Sequence, residues 1–171
     1  MTNLRFRDAY QTLTYDFIKD VLVVCPNCEQ KALVKASDFS FGKTNENDIR
    51  LVCSSCGHSK ILSEMPTSII YSSDERIISG RHYYVGGGID PFFHLPLWLS
   101  ENLNGNLFWA YNIEHIEFLE NHIQAKLRER NGIEYRNKSI GSRLPKWMTS
   151  KKNRESILKS IEKLKRKNKC T

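Results

Sequence analysis

No apolar stretch in this chain approaches the ~18 residues that a membrane-spanning helix needs, which points to a soluble protein. Met1 to Tyr10 is polar and charged and lacks the apolar core of a secretory leader, so a cytoplasmic location is expected. No segment is low in complexity. Catalytic signatures are missing too. There is no Gly-x-Ser-x-Gly elbow. His115 and His122 stand seven apart, whereas a helical metalloprotease needs two histidines four apart with a glutamate between them. His58, His82 and His94 belong to no catalytic pattern, and nothing in the sequence pairs the candidate acids Asp90 and Glu114. Gly86-Gly87-Gly88 is followed by Asp90-Pro91 and not by a lysine-bearing helix start, so it reads as a turn or a close backbone packing and not as a phosphate cradle. These absences leave a non-enzymatic protein as the expectation.

Cysteine is scarce, at five residues, but four of them fall into two Cys-x-x-Cys pairs. Cys25-Pro26-Asn27-Cys28 and Cys53-Ser54-Ser55-Cys56-Gly57 are separated by 24 residues. Each pair can present two thiolates from one tight turn, and two such turns complete a tetrahedral four-sulfur site, the closed geometry of structural zinc. One structural Zn2+ held by Cys25, Cys28, Cys53 and Cys56 is the expectation. A redox pair would be expected beside a βαβ pattern, two disulfides need an oxidising compartment, and a four-iron cluster uses other spacings. Cys170, in the basic tail, reads as a lone thiol.

The stretch from Val21 to Leu62 resembles a zinc ribbon with rubredoxin-like knuckles, carried by Cys25-Pro26-Asn27-Cys28 and by Cys53-Ser54-Ser55-Cys56-Gly57-His58. The first knuckle ends in Glu29, where glycine is common in that family. The resemblance implies a small antiparallel β unit around the metal. It implies no single function, because ribbons occur in nucleic-acid binders, enzymes and adaptors.

The formal net charge of +7 is unevenly spread. Up to Glu120 there are ten Lys/Arg against fifteen Asp/Glu; from Asn121 on there are sixteen against four, a net of +12. A basic terminal third on an acidic body predicts a polyanionic partner, either nucleic acid or an acidic protein. The candidate contacts are Lys151, Lys152, Arg154, Lys159, Lys163 and Arg166. A solvated lysine-rich helix is the plain alternative.

The expected fold class is α+β, in four segments: an N-terminal arm or short helix (1–20), the ribbon (21–65), an aromatic β/loop middle (66–111) and a basic helical segment (112–171). Strands are predicted at 21–24, 31–35, 49–52, 59–62, 68–71 and 107–111, with Phe39-Ser40-Phe41 as a further strand face. The run from Pro91 to Leu99 is the most apolar part of the chain and reads as core. Phe92, Phe93, Trp98 and Trp147 are alternatively docking residues for a protein partner. Asn112 caps a helix expected to reach Arg130 before Asn131-Gly132 stops it, and Ser150 caps a last helix over 151–167. Asp90-Pro91 with Leu95-Pro96-Leu97-Trp98-Leu99, Leu107-Phe108-Trp109-Ala110-Tyr111-Asn112, Ala125-Lys126-Leu127-Arg128-Glu129-Arg130 and Arg143-Leu144-Pro145-Lys146-Trp147-Met148 resemble phrases of a group of bacterial zinc-ribbon proteins; that resemblance brings no activity with it.

Overall fold

A computed structural model describes residues 12–36, 44–125 and 139–169. Four short strands open the fold: β1 (Asp20–Val24), β2 (Lys31–Lys35), β3 (Arg50–Val52) and β4 (Ser59–Ile61), antiparallel in the order β1-β2-β3-β4. Their side chains alternate, so one face is apolar. Val21 lies opposite Val34, Val23 opposite Ala32, and Val34 opposite Leu51, and all five are buried. The expected strand at Phe39 to Phe41 lies outside the described residues.

The outer edge of β1 is not open. Leu22 N–H donates to the Tyr111 carbonyl (2.7 Å), Trp98 N–H to Leu22 (2.9 Å), and Val24 N–H to Pro96 (2.9 Å). The Pro91–Leu99 run is thus strapped along the sheet. Phe92, Leu97, Trp98 and Leu99 are buried in the core that also holds Val21, Val23 and Leu51. Asp90 fixes the strap. Its fully buried carboxylate accepts the N–H groups of Phe92 (2.9 Å), Phe93 (2.8 Å) and Leu95 (2.6 Å). Asp90 is therefore a loop organiser, and Glu114 stands exposed on the first turn of a helix.

Two hairpins complete the β part. β5 (Ser68–Ser72) pairs with β6 (Ile77–Gly80) and exposes Ile69, Ile70, Tyr71 and Ile77. β7 (Leu99–Leu103) pairs with β8 (Asn106–Ala110) across Asn104-Gly105, whose φ values of 51° and 82° are those of the two-residue turn that suits strand twist. β6 and β7 were not expected from the sequence.

Helix α1 (Ile113–Gln124) is capped by Asn112, whose Oδ1 accepts His115 N–H at 2.9 Å while its Nδ2 donates to the carbonyls of Phe17 and Asp20. It ends six residues before Arg130. Ala125 is already extended (ψ 123°), a departure that the periodic spacing does not encode; Asn131-Gly132 lies outside the described residues. Two one-turn helices, α2 (Ile140–Arg143) and α3 (Lys146–Thr149), bring the buried Ile140 and Met148 to the core. Helix α4 (Arg154–Lys169) follows a 3₁₀ turn at Lys151–Asn153, and Ser150 makes no side-chain cap there. Ile157, Ile161 and Leu164 bury its apolar stripe against α1 and β7. No described helix is long and apolar enough to cross a membrane.

Candidate metal centre

The two cysteine pairs sit on matching turns, one between β1 and β2 and one between β3 and β4. In the first, Cys25 N–H donates to the Gln30 carbonyl (2.8 Å) and Glu29 N–H to the Cys25 carbonyl (3.0 Å). In the second, Cys53 N–H donates to His58 (2.8 Å) and Gly57 N–H to Cys53 (3.0 Å). The residue after each second cysteine is left-handed: Gly57 at φ 72° and Glu29 at φ 59°. Glycine takes that conformation without strain, and glutamate does not.

Pairing of β2 with β3 brings the turns together. All four Sγ atoms lie within 4.8 Å of one another. The cross-pair separations are 3.7 Å for Cys25–Cys56 and 3.6 Å for Cys28–Cys53. These are far beyond the ~2.05 Å of a disulfide. They match the ~3.8 Å edge of a tetrahedron with metal–sulfur bonds near 2.3 Å. Cys25 and Cys53 are buried, Cys28 is half-buried and Cys56 is exposed, so one corner of the site faces the surface.

The sulfurs are also dressed with donors. Asn27 N–H approaches Cys25 Sγ at 3.4 Å, and the Asn27 side-chain amide approaches Cys56 Sγ at 3.5 Å. That amide, followed by the His58 backbone, draws the Cys56 thiol down to about 6. Cys28 goes the other way. Although the Gln30 backbone bonds it, desolvation and the three neighbouring sulfurs push it up to about 12. Four adjoining sulfurs cannot all be anions without a cation among them, and a metal ion supplies that charge. The donor set, its separations and its hydrogen bonds all fit a tetrahedral metal ion. His58 serves through its backbone, and its ring is not part of the cluster. Asn27 was missed by sequence reasoning; its place inside the first pair was the available signal.

The candidate nucleic-acid residues are divided by the structure. Lys151, Lys152, Lys159 and Arg166 are exposed and Arg154 is half-buried. Lys159 pairs with Glu155 one turn away (2.7 Å). Lys163, expected on an open basic face, bonds Glu101 of β7, which also accepts from Ser160. Lys165 bonds Glu120 of α1 at 2.5 Å, and Lys31 caps the C-terminal turn through the Asn168 carbonyl at 2.9 Å. One basic flank of α4 is thus bound to the acidic body. Among the docking candidates, Phe92 and Trp98 are core residues, while Phe93 and Trp147 are half-buried against it. Cys170 lies outside the described residues.

No family model matches this chain, and it has no significant match among curated proteins or solved structures.

Proposed function

We propose that the protein is a non-enzymatic zinc-ribbon protein that binds nucleic acid through its basic C-terminal segment. Among the described residues the donor set is four thiolates with no carboxylate and no histidine, which favours zinc over harder ions, and a closed four-sulfur set leaves no open position for chemistry. The observation that carries the nucleic-acid reading is the +12 charge after Glu120, together with the exposed cations that α4 and its leading turn present. Lys159 and Arg166, seven residues apart, face the same side of the helix, about 10 Å from one another along its axis. Such a stripe can follow a phosphate backbone.

An adaptor role is the second reading, favoured by the β5–β6 hairpin. A two-stranded hairpin that exposes Ile69, Ile70, Tyr71 and Ile77 is the kind of surface that partners cover. Salt separates the two. Phosphate binding weakens with a log–log slope of about −0.9 per contact on duplex DNA, while an apolar docking face is nearly indifferent to salt. The zinc-loaded chain titrated with duplex and single-stranded oligonucleotides should bind at low salt. A Lys152→Glu, Arg166→Glu double variant should bind more weakly with unchanged circular dichroism. No affinity for either nucleic acid at low salt would move the assignment to the adaptor.

A further inference from the structure

A cavity of about 230 Å³ opens beside the β7–β8 hairpin, between α1 and the two short helices. Leu107, Leu119, Leu144 and Met148 form apolar walls, and Trp109 gives it an aromatic side. Its volume exceeds the ~150 Å³ that accommodates a benzene ring, so one ring and a short chain fit. Among the described residues, two basic side chains reach it and no carboxylate lines it. His115 is buried within an aromatic cage, its ring stacked on Phe17 at 4.6 Å and edge-on to Trp109 at 5.6 Å. Its Nδ1 already accepts the Tyr111 N–H, and burial pushes the imidazole down to about 3, so it stays neutral at physiological pH. Arg143 is different: it is exposed, and it makes no ion pair among the described residues. Among the described residues the cavity therefore combines a mostly apolar, uncharged lining with one guanidinium at its rim.

We propose that this cavity binds a small carboxylate with an apolar, ring-sized body, the body lying against Trp109 and Leu119 and the carboxylate pairing with Arg143. A planar guanidinium forks onto a carboxylate through two parallel N–H bonds, which fixes the ligand's direction in the pocket. The site is separate from the metal centre and does not depend on the nucleic-acid reading.

The test uses the zinc-loaded full chain with 3-phenylpropionate and its uncharged amide as probes, followed by 1H–15N spectra. The acid should shift the resonances of Gly86 and the Trp109 indole, both at the cavity, and bind about tenfold more tightly than the amide. Arg143→Gln, a surface change that leaves the walls intact, should bring the two affinities together. Leu119→Trp should fill the cavity and remove both. If neither probe moves those resonances at millimolar concentration, or if Arg143→Gln leaves the preference for the acid unchanged, the assignment is overturned.

Discussion

Lys167 holds its ammonium 3.8 Å from the centre of the Trp98 ring and donates to the Trp98 carbonyl at 2.9 Å. The last turns of α4 are thereby fastened to the strap that covers β1, and desolvation, ahead of the nearby Lys163, lowers the Lys167 pKa. Lys167→Met keeps the stem over the indole and removes the charge and the donor. It should cost about 1–2 kcal/mol, read as a lower denaturant midpoint at an unchanged slope. A change within about 0.5 kcal/mol would class the contact with ordinary surface pairs.

Elemental analysis of the purified protein should find about one zinc per chain. Cys53→Ser should lose the metal and destabilise the β1–β4 sheet, and a strong chelator should do the same to the natural chain. Full zinc retention in Cys53→Ser would rule out the four-sulfur assignment.

Glu29 and Gly57 occupy equivalent left-handed positions, and this gives a paired prediction. Glu29→Gly should stabilise the zinc-bound protein by about 1 kcal/mol by relieving backbone strain. Gly57→Ala should cost about as much. A Cβ there meets nothing within 4 Å, so its effect comes from the backbone angle alone. Thermal unfolding of both variants beside the natural chain measures the two signs.

His115 makes stability depend on pH. Its folded pKa of about 3 lies below the ordinary 6.5, so the unfolded chain binds the proton more tightly. This contribution is fully present above about pH 6.5 and is lost as pH falls towards 3, at roughly 1.4 kcal/mol per pH unit in the limit. His115→Asn keeps an acceptor for Tyr111 N–H but cannot titrate. Its stability, lower at neutral pH because the imidazole's packing is lost, should fall less steeply between pH 6.5 and 4.5 in denaturant titrations. Parallel slopes would mean that the imidazole charges without unfolding.

The metal knuckles were legible because two residues between cysteines leave the backbone few choices, and the spacing alone states the chemistry. The apolar stripe of α4 was legible from Ile157, Ile161 and Leu164 for the same kind of reason, a local period. β7 was not. Leu99-Ser100-Glu101-Asn102-Leu103 has apolar residues only at its ends, and it becomes a strand because the Asn104-Gly105 turn folds it onto β8. The attachment of the basic helix was equally hidden. Lys163 and Lys165 find Glu101 and Glu120 across 62 and 45 residues of sequence, so charge counted along the chain reads as open surface what the fold has in part neutralised.

The strap along β1 bears on whether the metal unit can be separated from the rest. Cut out at Pro66, residues 20–65 would keep all four thiolates, yet would leave the N–H groups of Leu22 and Val24 without the Tyr111 and Pro96 carbonyls that now receive them. Such a fragment would carry a raw strand edge beside an uncovered Val21–Val23 face and would tend to self-associate, with or without its ion. The cysteine-bearing sheet thus shares its outer edge and its core with the segments that follow it.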